Sequence, residues 1–222
     1  MVFGLKLLSK AAIYIIALSA VEWHGNRPVS SRRFLISPMI RYLTSSECRG
    51  RAFLEKLFEL ARQKFHGELM YEIDEKTVQR NLSPHTLCSA AYDTDSQKVL
   101  SYFCWTITDT RFRDGLITGK FKENDLYVYH EDAPPVLFFN TFIVTNSHHA
   151  PYIVRNLIKD LHVLICLDNL QIQGALAIGG LRCTERWLLK YGFREVGRYA
   201  KFPILWATLV ESPVLCGLLR TC

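Results

Sequence analysis

The chain has 222 residues, of which 49% are hydrophobic and 22% are charged. This length suits one substantial domain, and the balanced composition excludes intrinsic disorder. The net charge of +6 would attract phosphate-bearing ligands, nucleic acid or an anionic membrane, but no run of basic residues alternates with aromatic ones, so nucleic acid is not predicted as a partner.

Seven cysteines are spread along the chain without a CxxC pair or a paired Cys/His spacing. Structural zinc sites use such spacings, so no metal is predicted. An odd number of cysteines in a chain of ordinary apolar content fits buried reduced thiols better than a disulfide framework. We therefore predict a reducing, cytoplasmic location.

The N-terminal segment, residues 1–21, places Lys6 and Lys10 before an apolar run that is too short for an ordinary membrane span. It fits three interpretations: a membrane-associated helix, a cleaved signal peptide, or a helix packed on the domain. The cysteine usage argues against secretion and so favours the first and third. Because Trp23 to Pro38 has a linker composition, we predict an apolar segment and linker over residues 1–38 and one domain over residues 39–222.

Two helices are predicted next. From Ser45 to Leu69 the apolar residues recur every three or four positions, which is typical of an amphipathic helix. Ser45 or Ser46 is a suitable N-cap, and Glu47 then lies in the first turn. A shorter helix is predicted from Glu75 to Asn81.

A β-hairpin follows, with strands over Thr86 to Tyr92 and Val99 to Thr108 joined by a polar turn. The segment from Arg111 to Asp132 is polar and contains glycine, and we expect one short strand in it, from Leu126 to Tyr129.

The second half of the chain predicts a β-α-β-α-β unit. Val136 to Val144 has the composition of a central buried strand, and Pro151 suits the first turn of the next helix. Leu170 to Ile178 is another buried strand, and Leu181 to Tyr191 is a helix that ends at Gly192. Two closing strands are predicted at Phe193 to Tyr199 and Ile204 to Leu209.

This order of elements resembles the GNAT superfamily of N-acyltransferases from Ser45 to Leu209. The sharpest local motif runs from Trp187 to Gly197, a helix that ends in Gly-Phe and leads into a strand. Gly192 suits the left-handed position after a helix, while Phe193 turns back into the core. The resemblance implies an α/β (α+β) fold with a mixed, mostly antiparallel central sheet flanked by helices, here with an extra apolar N-terminal helix.

The resemblance also implies a cofactor site after the central strand. In family members the loop and helix start at this point hold the pyrophosphate of acetyl-CoA or another acyl-CoA, because unpaired amides and the helix dipole favour negative charge. The implied cofactor-binding residues of this chain are Ile143, Val144, Ser147, His149, Ala150, Tyr152 and Ile153.

The chain departs from the family pattern in two places. The loop contains no glycine, Pro151 removes one amide, and Tyr152 adds bulk where the pyrophosphate is expected. Leu188 occupies the position at which many members carry a tyrosine that protonates the departing thiolate. Tyr191 lies one helical turn later and is the remaining candidate acid.

His148 and His149 are the candidate bases, because a neutral imidazole near pH 7 can take a proton from an amine. The structural alternative places them in solvent or at the helix cap. Asn140 and Thr141 interrupt the apolar strand, and we expect them to face opposite sides of the sheet. Hydrogen bonding across the sheet is the favoured interpretation for them, and lining a substrate cleft is the other.

Two functions remain open. The first is transfer of an acetyl or other acyl group from acyl-coenzyme A to the amine of a small molecule or a protein. The alternative is a catalytically inactive binding or regulatory module that kept the fold. The glycine-free loop and Leu188 both favour the alternative, and the N-terminal segment would then supply membrane or partner contact.

Overall fold

The computed structural model describes residues 39–65, 74–180 and 182–208. The elements of these residues, in chain order, are β1 (Ile40–Leu43), α1 (Arg51–Phe65), α2 (Glu75–Leu82), β2 (Thr86–Asp93), β3 (Lys98–Asp109), α3 (Thr110–Ile117), β4 (Pro135–Ile143), α4 (Ala150–Asp168), β5 (Gly174–Ile178), α5 (Arg182–Lys190), β6 (Arg194–Tyr199) and β7 (Phe202–Thr208). The predicted apolar segment over residues 1–38 lies outside this range. None of the helices in the described part is long and apolar enough to span a bilayer.

The strands form one seven-stranded sheet in the order β1-β2-β3-β4-β5-β7-β6. Within the described residues, β4 and β5 are parallel and every other neighbouring pair is antiparallel. The predicted mixed, mostly antiparallel sheet is therefore confirmed. The β-α-β-α-β unit is confirmed as well, and β7 inserts between β5 and β6.

Helices cover both faces of the sheet. On one face, α4 and α5 pack on alternate strand residues in the largest apolar cluster, which includes Phe103, Leu137 and Leu157. On the other face, α1 and α2 pack on β2 and β3, and α3 packs on β4, β5 and β7. Burial of these apolar side chains is the main driving force for the three-layer arrangement.

The first helix begins later than predicted. Ser45 and Glu47 lie in a turn before α1, and Glu47 accepts hydrogen bonds of 2.9 Å from both the amide and the hydroxyl of Thr44. Gly50, with φ of 101°, then leads into α1 at Arg51. The predicted N-caps Ser45 and Ser46 and the placement of Glu47 in the first helical turn were therefore wrong. Glu47 instead stabilises the turn that joins the helix to β1, a strand that the sequence did not predict.

The polar segment after β3 also differs from the prediction. Helix α3 was not predicted. Asp109 caps it by accepting hydrogen bonds from the amides of Arg111 and Phe112. The short strand expected from Leu126 to Tyr129 is wrong, because this stretch is irregular and follows a 3-10 turn at Glu123–Asp125. The Tyr127 hydroxyl donates to Asp109 at 2.7 Å, so a side-chain contact holds the segment in place of a strand ladder.

The cysteines agree only in part with the predicted reduced thiols. Cys48, Cys88 and Cys104 are free, and the first two are buried. Cys166 is disulfide-bonded, so the prediction is wrong for this residue. The cytoplasmic location, which rested on reduced thiols, stays a prediction.

Candidate active site

The pairing between the parallel strands β4 and β5 stops before β4 ends. Their last paired residues are Phe139 and Ala177, whereas β4 continues to Ile143. The register between β3 and β4 shifts at the same place, since Cys104 pairs with Thr141 and Trp105 with Phe139. The intervening residue of β4 forms a β-bulge, which bends a strand and increases its twist. Since β5 itself ends at Ile178, residues Asn140 to Ile143 of β4 extend past it without a described partner on that side, and we call this unpaired end the β4–β5 splay.

The residues predicted to bind the cofactor lie together at the end of this splay. Ile143 ends β4, and Val144 packs against the core beneath α4. A 3-10 turn at Ser147–His149 leads directly into α4 at Ala150. The structure therefore brings these residues to one junction between a strand end and a helix start, in the order that the sequence predicted.

Few backbone donors at this junction remain for an anion. The amide of His148 donates to the side-chain Oδ1 of Asn146 at 3.0 Å. The amide of His149 donates to the backbone carbonyl oxygen of Asn146, also at 3.0 Å. Pro151 has no amide hydrogen. A pyrophosphate would therefore meet fewer amides than the start of a helix ordinarily offers.

The two histidines of the junction have different environments. His149 is 7% exposed, its Nδ1 lies 3.1 Å from the hydroxyl of Ser101 on β3, and its ring meets the edge of Tyr42. Burial, with a smaller contribution from His148, lowers the pKa of His149 below its ordinary value. His148 is exposed. These contacts support the structural interpretation of His149, and its catalytic role stays a prediction.

Tyr152 lies on the surface at the first turn of α4. It is 52% exposed, and its ring stacks on Tyr42 of β1 with the ring centroids 4.4 Å apart. This stack fixes the tyrosine against β1, so its bulk lies over the outer side of the junction.

Tyr191 lies at the far end of α5 from the β4–β5 splay. Since β5 and β6 are both antiparallel to β7, α5 runs back across the sheet, and its start shares an edge with the start of α4. A nine-residue helix spans about 13 Å. The structure thus separates Tyr191 from His148 and His149, and its role as an acid stays a prediction.

The Gly-Phe motif has the predicted geometry. Gly192 has φ of 89°, its amide donates to Leu189, and the amide of Phe193 donates to Leu188. These two hydrogen bonds define a Schellman motif. Leu188 and Phe193 are both buried in the cluster beneath α4 and α5, so Leu188 serves as a core residue.

A cavity with a mainly apolar surface lies at the β4 bulge, on the opposite face of the sheet from α4. It has a volume of about 60 Å³, is open to solvent on one side, and is lined by α1, α2, the 3-10 turn after α3 and strands β2 to β4. Its walls combine leucine and phenylalanine side chains with a polar set: Thr77, Arg80, Asn81, Thr86, Tyr102, Cys104, Glu123, Asn140 and Thr141. Concave sites of this composition are the usual form of a ligand pocket.

Asn140 and Thr141 both line this cavity, so the expectation that they face opposite sides is wrong. The bulge is the physical reason. Phe139 and Phe142 pack on the α4 side, which leaves two consecutive residues on the cavity side. The favoured hydrogen bond across the sheet is present, since the Asn140 amide donates to Thr106 of β3 at 2.9 Å. Its Oδ1 is buried without a hydrogen-bond partner in the structure.

Glu123 is the residue that the sequence analysis missed. It is only 8% exposed and lines the cavity, and no described residue donates a hydrogen bond or forms an ion pair with its carboxyl group. Burial raises its pKa to about 8, because a low-dielectric environment disfavours the charged form. No local signal in the sequence distinguishes Glu123 from the solvated acidic residues around it.

The fold and the cavity define the class of molecule: a mixed α/β domain in which β4 extends past its parallel neighbour β5 and borders a pocket at the bulge. Among solved structures, the arrangement is similar to the NAA60 protein of Arabidopsis thaliana in complex with acetyl-CoA. The sequence identity is 14%, the match covers 77% of this chain and 99% of that chain, and the TM-score is 0.46.

Two further solved structures are similar. FeeM, an N-acyl amino acid synthase from uncultured soil microbes, is 8% identical over 81% of this chain and 98% of its own, with a TM-score of 0.47. The PaiA N-acetyltransferase of Thermoplasma acidophilum in complex with coenzyme A is 12% identical. The match covers 78% of this chain and 99% of that chain, with a TM-score of 0.41.

At such identities and TM-scores these likenesses concern the arrangement of helices and strands alone. No family model matches the chain, and no curated protein matches it.

Proposed function

We propose that this chain is an N-acyltransferase that moves an acyl group from acyl-coenzyme A to an amine. The observation that carries the proposal is the splay, in which β4 runs from Asn140 to Ile143 past its last pairing with β5. It supplies an open strand edge on one side, and the bulge at Asn140 borders the cavity on the other. A donor and an acceptor can therefore approach one point of β4 from two directions.

On the donor side, acyl-coenzyme A would supply an activated thioester carbonyl. The amides at the end of β4, those of Ile143 and Val144, are proposed to polarise that carbonyl, as backbone donors do in other acyl transfers. Ser147, His149, Ala150, Tyr152 and Ile153 would surround the phosphates at the start of α4. His149 would act chiefly by holding this junction to Ser101 of β3.

On the acceptor side, Glu123 is proposed as the base. An amine arrives mostly as an ammonium ion and must lose a proton before it attacks. Glu123 faces the cavity without a competing cation on its carboxyl group, and a pKa of about 8 lies close to the working pH, where general base catalysis is most effective. A typical contribution is about 10²- to 10⁴-fold in rate.

The inactive module is the weaker candidate. An unpaired carboxyl group in an apolar setting is unfavourable for stability, and a purely structural domain gains nothing from keeping one at Glu123. The departures of the cofactor loop reduce the number of phosphate contacts but leave the splay intact.

The proposal is tested by calorimetry and thermal shift with coenzyme A, acetyl-CoA and longer acyl-CoA thioesters. We expect saturable binding, with a rise in melting temperature that grows with ligand concentration. The affinity is expected to be weaker than that of proteins with a glycine-rich loop, because Asn146 already occupies two of the amides at the junction. If no acyl-CoA gives heat or a thermal shift at millimolar concentration, the donor assignment is wrong.

The role of Glu123 is tested by the variant Glu123→Gln, with product formation followed by mass spectrometry. We expect kcat to fall about 10²-fold or more while acyl-CoA binding is unchanged. In the wild type, kcat/KM should rise with pH up to about 8 and then level, because the base must be deprotonated. Glu131→Gln, at an exposed carboxylate, is the matched control. Equal rates and pH profiles for both variants would remove Glu123 from the mechanism.

A further inference from the structure

The cavity contains a cation as well as an acid. Arg80 projects from α2 into the cavity wall, and one of its nitrogens, Nη1, donates to the carbonyl of Leu126 at 3.1 Å. Burial lowers the pKa of Arg80, but an arginine side chain remains charged in a protein. Within the described residues, no carboxylate forms an ion pair with it, and Asp74 acts on it only as a nearby charge.

A hydrogen bond to Leu126 positions the guanidinium group of Arg80. Leu126, which receives the hydrogen bond from Arg80, itself donates its amide to the carbonyl of Glu123 at 3.1 Å. Arg80 and Glu123 are thus tied to the same 3-10 turn and line the same cavity, yet they form no ion pair with each other. A guanidinium has five N–H donors, and planar carboxylates are the groups that it binds best.

Three polar groups of the cavity therefore lack partners of the right kind. Arg80 needs an anion, since a half-buried charge without a counterion is unfavourable. The Oδ1 atom of Asn140 needs a hydrogen-bond donor, and the Glu123 carboxyl group needs a donor or a cation once it loses its proton. One ligand that carries both an ammonium and a carboxylate group would satisfy all three.

The size of the cavity limits this ligand. A buried water needs about 10–15 Å³ of such volume, so a cavity of about 60 Å³ accommodates about four to six groups of that size. The head of an α-amino acid has an amine nitrogen, an α carbon and three carboxylate atoms, which fits this number. The additional cations of a polyamine or an oligosaccharide amine would repel Arg80.

We infer that the acyl acceptor is an α-amino acid, with its amine between Glu123 and the Asn140 carbonyl oxygen and its carboxylate on Arg80. In the reaction the amine nitrogen forms the amide bond and the C–S bond of the thioester breaks. Of the two protons that the ammonium loses, one passes through Glu123 to solvent and one neutralises the leaving thiolate. The reaction part of this inference rests on the proposed function, whereas binding of the amino acid does not.

Binding is tested first, with glycine and alanine against glycinamide and ethylamine, each with and without coenzyme A. We expect the amino acids to bind at least about tenfold more tightly than the two amines that lack a carboxylate. Equal affinities for glycine and glycinamide, or no amino acid binding with or without coenzyme A, would overturn the inference.

The variants Arg80→Gln and Arg80→Lys test the residue itself. Arg80→Gln should raise the Kd and KM for glycine about 10- to 100-fold and leave the values for glycinamide unchanged, and Arg80→Lys should fall between. A loss of folding would affect both ligands equally, so the difference between them separates recognition from structure. Arg51→Gln, at an exposed arginine paired with Glu75, is the matched control. If Arg80→Gln weakens both ligands alike, Arg80 does not recognise the acceptor.

The two proposals fail in distinguishable ways. Glycine binding that depends on Arg80, without any product from acyl-CoA, would support the amino acid site and reject the acyltransferase. Acyl transfer to ethylamine as fast as to glycine would support the acyltransferase and reject the amino acid site.

Discussion

At the scale of single residues, Glu123 and Asp109 show how partners decide the charge of a buried carboxyl group. Both side chains are buried. Burial raises the pKa of Asp109, but hydrogen bonds from Arg111, Tyr127 and the amide of Phe112 outweigh it, and the resulting pKa is below the ordinary value. Glu123 is also buried but has no such hydrogen-bond partners among the described residues, so burial raises its pKa to about 8.

This difference predicts how stability depends on pH. The pKa of Glu123 is about 8 in the folded state, against 4.5 for an ordinary glutamate. Between these values the folded state holds a proton that the unfolded state has lost, so the free energy of unfolding falls as pH rises, by about 1.4 kcal/mol per pH unit. Glu123→Gln should remove this slope and stabilise the protein at pH 8, with little difference at pH 4.5.

The measurement is urea denaturation from pH 4.5 to 9. The advantage of Glu123→Gln over the wild type should grow up to about pH 8 and stay constant above it. Glu131→Gln, which changes an exposed carboxylate, should follow the wild-type curve. A constant difference between Glu123→Gln and the wild type at every pH would contradict the assigned pKa.

At the scale of elements, the ends of helices and the irregularities of strands position the site. The β-bulge at Asn140 places two consecutive polar side chains in the cavity, directly after the last pairing of β4 with β5. The Schellman motif at Gly192 returns the chain to the core at Phe193. Each depends on a backbone conformation that a regular element does not provide.

The motif at Gly192 predicts a graded response to substitution. Its φ of 89° lies in the left-handed region, where a Cβ atom costs about 1–2 kcal/mol and asparagine is tolerated better than most residues. The expected order of destabilisation is Gly192→Val above Gly192→Ala above Gly192→Asn, as measured by thermal melts. If alanine and asparagine are equally tolerated at no cost, helix α5 does not end in this conformation.

At the scale of the whole molecule, one sheet separates two parts of the proposed site. The junction at His149 lies on the face covered by α4, whereas the cavity with Glu123 and Arg80 lies under α1 and α2. The end of β4 borders both. Donor and acceptor would thus approach through separate surfaces, and the acceptor cavity can change without altering the donor side.

The two apolar layers predict how core mutations combine. Leu57 of α1 and Leu157 of α4 are 2% and 0% exposed, on opposite faces of the sheet. Leu57→Ala and Leu157→Ala should each destabilise the protein by about 2–5 kcal/mol, and the double variant should equal their sum within about 0.5 kcal/mol. Urea denaturation measures all three.

The control pair is Leu157 and Leu161, which lie one helical turn apart in the same cluster. Because they share neighbours, their double variant should depart from additivity by about 0.5 kcal/mol or more. Strong coupling between Leu57 and Leu157 would contradict the separation of the two layers.

Elements with a periodic pattern were predictable from the sequence, and those held by single side chains were not. The hairpin of β2 and β3, the central strand β4 and the Gly-Phe end of α5 follow from alternation, burial and one glycine. β1 and α3 were missed because a few contacts outside any periodic run, those of Glu47 and Asp109, determine them.

The sequence by itself determined the β-α-β-α-β unit and the junction that gathers Ile143 to Ile153, because each arises from residues close together in the chain. The mixed sheet was implied only by the resemblance of the whole order of elements to a known family. Only the tertiary structure decided that Arg80, Glu123 and Asn140 share one cavity. Dozens of residues separate Arg80 from the other two, and the register shift that turns Asn140 toward them is a property of the pairing between β3 and β4. The pKa of Glu123 likewise follows from its burial, which a local sequence pattern does not encode.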